Sequence, residues 1–203
     1  MDLLALAAGL LAGLSLIVAI GSQNAFVLRQ GLRREHVGAV VVICTLSDVV
    51  LILAGVGGVG ALVSAVPWLI TLIRWLGVAF LVGYALLSFR RAWAGGEALA
   101  AGSGVGATLS AVVVQALALT WLNPHVYLDT VLLLGSLASS HGHPGRWWFA
   151  GGAMVGSAIW FTGLGYGARF ADRLFSRPVA WRVLDTVIGL TMLAIAASLA
   201  LGA

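Results

Sequence analysis

Apolar residues run almost unbroken through six stretches of the chain, at roughly 3–28, 37–64, 68–89, 107–138, 147–170 and 181–202. About 20 such residues carry a helix across the hydrocarbon core of a bilayer. Lipid offers the backbone no hydrogen-bond partner, so only helices and closed barrels can span it. A barrel needs alternate residues to face lipid, and these runs are continuous, which disfavours one. Composition points the same way: 61% of the 203 residues are hydrophobic and only 9% are charged, too few for the surface of a soluble domain. The expected fold is therefore an all-α integral membrane protein with six transmembrane helices. The first and fourth runs are long enough to hold a break as well as a crossing.

The N-terminal run is read as the first span. It lacks a basic leading segment, carries Asp2, and stays apolar through Phe26-Val27-Leu28, too far for a secretion signal. A net charge of +4 invites a nucleic-acid reading. The arginines, however, sit at the ends of apolar runs, where they orient helices, so nucleic acid is rejected as a partner. Arg29, Arg33 and Arg34 follow the first run, Arg90 and Arg91 the third, and Arg169, Arg173, Arg177 and Arg182 bracket the turn after the fifth. The remaining connections hold only Arg74 and Arg146. The first, third and fifth connections are thus expected in the cytoplasm, with both termini outside. Trp68, Trp75, Trp93, Trp147, Trp148 and Trp181 cluster at the run ends, where interfacial aromatics belong.

A Gly/Ala-rich stretch at 94–106 divides the chain near its middle, into 1–93 and 107–203. Each half opens on an apolar run interrupted by amides, Gly21-Ser22-Gln23-Asn24 in one and Leu122-Asn123-Pro124-His125 in the other. Aligning Asn24 on Asn123 leads next to Ser47 against Ser157. Two Gly-rich runs then follow, at 55–60 and 163–167, and after them Arg74-Trp75-Leu76 faces Arg182-Val183-Leu184. Three spans is an odd number, so two halves of one fold must cross in opposite senses, as inverted repeats. Paired helix interruptions at matching places point to a transporter's binding site. Gly9 and Gly13, Gly152 and Gly156, and Gly163 and Gly167 have the four-residue spacing that lets membrane helices approach closely.

Few residues within the spans can carry chemistry. Asp48 lies about 17 Å into the second run at 1.5 Å per residue. A carboxylate at that depth costs about 2.5–3.5 kcal/mol to insert, so it needs a partner or a wet cavity. Asp129 raises the same question six residues after Asn123. Gln23 and Asn24 each offer a donor and an acceptor. Gly21 and Pro124 are the expected helix breaks, and a proline frees an upstream carbonyl. His125 and Asp129 share a helical face but are too few ligands for a metal. His141 and His143 read as loop residues, Glu35 and Asp172 as solvated, and Asp185 equally as a local partner for Arg182 or as a functional group. Cys44 stands alone, which excludes an intrachain disulfide. No phosphate loop, nucleophile–base arrangement or dinucleotide motif is present, so neither an enzyme nor a cofactor is expected.

Gly21-Ser22-Gln23-Asn24-Ala25-Phe26-Val27-Leu28-Arg29-Gln30-Gly31-Leu32-Arg33 resembles the first motif of the LysE/ArgO amino-acid exporters. Leu46-Ser47-Asp48 and Leu122-Asn123-Pro124-His125-Val126-Tyr127-Leu128-Asp129-Thr130 resemble two further motifs, in order. The family's usual proline before Gln-Asn is Ser22 here. The resemblance implies a secondary exporter of L-arginine or L-lysine in the bacterial inner membrane. The implied partners are a basic amino acid, protons and membrane lipid, with a homodimer as the oligomer to test. Asp48 and Asp129 suit the substrate's cations and a coupling proton; Gln23, Asn24 and Asn123 with nearby backbone N–H groups suit its carboxylate. Export of neutral amino acids or of divalent metal cations is the alternative reading.

Overall fold

The computed structural model describes residues 2–18, 21–58, 67–94, 108–171 and 178–201. The linker, the end of the first Gly-rich run at 59–60, and Asp172, Arg173 and Arg177 lie outside them. Among the described residues there are helices and no strands. The elements are α1 (Leu3–Ile17), α2 (Ser22–Arg33), α3 (Val37–Val56), α4 (Pro67–Ala94), α5 (Leu109–Trp121), α6 (Tyr127–Ser139), α7 (Gly142–Gly167) and α8 (Pro178–Leu201). A single turn, Pro124–Val126, leads into α6, whose first part, Tyr127–Leu133, is π-helical. A short 3-10 segment, Ala168–Ala171, closes α7.

Among the described residues, Val37–Val56, Arg74–Trp93 and Val179–Leu201 are each long and apolar enough to cross a membrane. The pair α1 and α2 qualifies as one bent span. The first apolar run therefore ends later than the expected residue 28. It continues to Arg33 as two helices inclined at 83°, with Gly21 extended (φ −119°, ψ 176°) where the second begins. In the second run α3 ends at Val56, and the rest of that run, 59–64, lies outside the described residues. The turn from α2 to α3 is set by Arg34 in the left-handed region (φ 56°), with Arg34 N–H donating to Gly31 O and Glu35 N–H to Gln30 O. These bonds satisfy the last carbonyls of α2.

The most extensive helix interfaces among the described residues are α1 with α7 and α4 with α8, followed by α3 with α7. Glycine makes the first possible. A Cβ on Gly9 would sit 1.9 Å from Phe149 O, and one on Gly152 would sit 2.0 Å from Leu6 O. Backbone thus lies on backbone where α1 crosses α7, as small residues allow in membranes. The third expected glycine pair behaves differently. Gly163 and Gly167 have nothing within 4 Å; the close approach is at Gly165, beside Val41, and at Gly31, whose Cβ would lie 2.2 Å from Gly165 O. Four-residue spacing defines a stripe, but which stripe meets a neighbour depends on the rotation of α7.

Buried charge gives a second correction. Asp185, 1% exposed, does not pair with Arg182, which is exposed on the same helix. It lies 3.7 Å from Arg29 Nη1 on α2 and 3.5 Å from Arg91 Nε on α4. Arg91 also donates to Ser88 Oγ at 2.8 Å. The rotation that buries Ile188 and Met192 of α8 carries Asp185 inward, and two cations from other helices meet it there. Glu35 is half-buried rather than solvated, and pairs with Arg33 at 3.0 Å.

Candidate functional site

Both helix breaks open onto one cavity of about 230 Å³. Its wall includes Leu16 and Ile17 at the end of α1, then Gly21, Ser22, Gln23 and Asn24, and then Asp48 and Ile52 from α3. From the second half come Asn123, His125, Val126, Asp129, Thr130 and Leu134, with Phe161 from α7 and Ile195 from α8. Gln23, Asn24, Asp48, Asn123 and Asp129, picked out along a sequence separation of about a hundred residues, therefore share one chamber. The volume falls below the 300–1,000 Å³ usual for drug-sized ligands and suits a small molecule. Among the described residues, two carboxylates and no arginine line it.

The two breaks are built on one logic. A helix end leaves carbonyls without their i+4 donors. At the first break, Ile17 O accepts from Asn24 Nδ2 at 2.6 Å. At the second, His125 N–H donates to Asn123 Oδ1 (3.2 Å) instead of continuing the helix, which frees Trp121 O, and Tyr127 OH donates to it at 2.8 Å. Pro124 has no N–H to offer Thr120 O; Asn123 N–H reaches that carbonyl at 3.4 Å instead. The π-helical turns beyond accommodate the mismatch, a feature common at functional sites, and they carry Asp129 and Thr130 to the cavity wall.

The second half holds the first half's polar groups in place. Ser157 Oγ, on α7, donates to Asp48 Oδ2 at 2.7 Å; the serine is fully buried and Asp48 is 5% exposed. Trp160 Nε1, one turn further along α7, donates to Asn24 Oδ1 at 3.1 Å. Trp121 Nε1 donates to Ser47 Oγ at 3.1 Å in return. Sequence reasoning did not assign these partners, though one signal was available. Trp121 and Trp160 are the two tryptophans remote from the ends of the apolar runs, and a buried indole N–H usually finds an acceptor. Thr130, Phe161 and Ile195 were also missed as lining residues. Nothing in their local sequence marks them.

His125 lines the cavity along with Asp48 and Asp129, yet no group of three or more possible metal-ligating side chains comes together among the described residues. Cys44, buried, lies within hydrogen-bonding reach of the Gln23 side chain. His141 just before α7 and His143 in its first turn are both exposed, and neither lines the cavity.

A family model for LysE type translocators matches residues 14–203. The chain belongs to the LysE family. Among curated relatives of this LysE-family protein, a lysine exporter LysE of Corynebacterium diphtheriae is 41% identical, covering 95% of this chain and 96% of the relative. An arginine exporter protein ArgO of Serratia proteamaculans is 42% identical, covering 92% and 91%. A Mycobacterium tuberculosis protein, provisionally named as an amino-acid transporter, is 48% identical over 90% of each chain. These relatives are named as transporters, not enzymes, which supports a role other than catalysis. No solved structure matches the chain. Family and apolar helices together describe a multi-pass membrane protein.

Proposed function

We propose that this LysE-family protein exports basic amino acids, L-arginine or L-lysine, from the bacterial cytoplasm. The observation that carries the reading is the charge of the cavity: Asp48 and Asp129 face a small chamber otherwise lined by His125, amides, hydroxyls and apolar groups, with no arginine among the described lining residues. Deep carboxylates in such a setting attract a cation or a proton. The names of the lysine and arginine exporters among the relatives agree with a cationic substrate.

Two inverted three-helix units, 1–93 and 107–203, supply the frame of this reading. The crossing partners support it. Ser47 and Gly55 on α3 are spaced as Ser157 and Gly165 are on α7. Gly55 O lies 2.7 Å from a Cβ built on Gly135 of the second half's broken span, and Gly165 O lies 2.2 Å from one built on Gly31 of the first half's. Each unit's second helix thus clasps the other unit's broken helix. Rocking of the two units about the shared cavity gives alternating access. Both termini face outward in this arrangement, by the arginine bias of the connections.

Outward movement of a cation works against the interior-negative potential, by about 2.3 kcal/mol per charge at 100 mV. Proton antiport supplies the opposing flux, with Asp48 or Asp129 exchanging a proton for substrate. The test is efflux of labelled arginine and lysine from loaded proteoliposomes, with and without a pH gradient. Gradient-stimulated efflux, abolished in Asp48→Asn and Asp129→Asn proteins that insert normally, is expected. Full-rate efflux by both variants defeats the assignment. Neutral amino acids and divalent metals as the load test the competing substrates.

A further inference from the structure

The two helix breaks differ in one respect that bears on how a substrate lies. The turn after the second break is capped from within: Asn123 Oδ1 accepts from His125 N–H, and Pro124 carries no N–H at all. Among the described residues the start of α2 has no such cap. Gly21 occupies the N-cap and contributes no side-chain hydrogen bond, so the first N–H groups of this 12-residue helix have no acceptor upstream within it. Beside them, Ser22 is completely buried and its hydroxyl has no hydrogen-bond partner among the described residues; Gln23 Nε2 is likewise buried, with only the weakly accepting Cys44 thiol within reach. Both residues line the cavity. Unpartnered buried donors are costly, and a helix N-terminus favours an anion.

The Asn24 amide is engaged at both ends, and the Asn123 amide through its oxygen. Asn24 bridges Ile17 O and Trp160 Nε1, and Asn123 caps its own turn. They brace the breaks, and Asn24 Nδ2 is committed to Ile17 O. From these observations, and resting on the amino-acid export reading above, we infer that the N-terminus of α2, with Ser22 Oγ and Gln23 Nε2, is the subsite for the substrate's α-carboxylate. The second break, with Asp129, takes the cationic side chain. The cavity is then polar end to end: donors at the first break, acceptors at the second and at Asp48.

The experiment compares arginine with agmatine, which keeps the guanidinium and lacks the carboxylate, by calorimetric binding to purified wild-type, Ser22→Ala and Gly21→Asp proteins. Wild type is expected to prefer arginine. Ser22→Ala should weaken arginine by about tenfold, the effect of one hydrogen bond to a charged group, and change agmatine less than twofold. Gly21→Asp places a carboxylate of the chain's own at the helix start and should remove the preference for arginine while agmatine still binds. Equal wild-type affinity for arginine and agmatine overturns the subsite, as does equal weakening of both ligands by Ser22→Ala. Leucine and leucinamide separate this from the substrate reading. If neither basic ligand binds but leucine does, and outcompetes its amide in a Ser22-dependent way, the basic-substrate reading falls and the subsite stands. Absence of binding by every carboxylate tested overturns the subsite.

Discussion

Alanine at Gly152 and at its neighbour Gly151 should have opposite effects, and the structure gives the size of each. A Cβ at Gly152 would lie 2.0 Å from Leu6 O, 2.8 Å from Leu10 N and 2.9 Å from Leu6 C, all of them backbone atoms of α1. No rotamer change relieves such a contact. Ordinary contact begins near 3.4 Å, so α1 must retreat by about 1.4 Å against an interior packed to crystal density. Overpacking of this kind costs about 1–3 kcal/mol. At Gly151 a Cβ meets nothing within 4 Å, and alanine gains about 0.5–1 kcal/mol of helix preference. For a chain of this size, about 2–4 °C per kcal/mol places Gly152→Ala about 2–12 °C below wild type. Gly151→Ala should match wild type or exceed it slightly. The measurement is the fraction of detergent-solubilised protein that stays monodisperse after heating. Because Leu16 and Ile17 carry the end of α1 to the cavity wall, the Gly152 variant should also lose efflux at permissive temperature. A Gly152→Ala protein as stable as Gly151→Ala would refute the backbone-on-backbone crossing.

Other expectations follow from named contacts. Asp185→Asn leaves Arg29 and Arg91 without their shared carboxylate and should destabilise the protein by about 3–5 kcal/mol, read as loss of folded material in the same heating assay; Arg91→Met, at a site 26% exposed, should cost less. Trp160→Phe removes the donor to Asn24 Oδ1 and should slow efflux at least severalfold with insertion unchanged, whereas Trp93→Phe, at an exposed site, should leave the rate alone. In a Cys44→Ala background, Thr130→Cys should react with a small water-soluble thiol reagent and be protected by arginine. Val114→Cys, on an exposed face of α5 that an apolar membrane helix turns to lipid, should stay unreactive with or without arginine, because the reactive thiolate is disfavoured there.

The cavity's polar residues were readable before any coordinates because the surroundings are so apolar. In a chain with 9% charged residues, a carboxylate at position 48 or 129, or an amide beside Gly21 or Pro124, stands out against the cost of placing it in lipid. The same reasoning failed at Asp185. Its neighbour in sequence, Arg182, looked like a sufficient partner, and only the convergence of α2, α4 and α8 brings Arg29 and Arg91 to it. It failed again at Gly163 and Gly167, where the spacing was right but the helix face was not.

Sequence by itself therefore determined the all-helical membrane class of the molecule, the two interruptions and the residues whose burial demands explanation. Each of these follows from one-dimensional physics: the transfer cost of a side chain or a backbone group into lipid, summed along a run. Tertiary structure alone decided which of those groups meet. It joined Asp48 to Ser157 and Asn24 to Trp160 across more than a hundred residues, pressed Gly152 against the backbone of α1, and left the start of α2 uncapped while the second break capped itself. Those pairings depend on how helices rotate and cross. That is set by the shapes of facing surfaces, which no single segment contains.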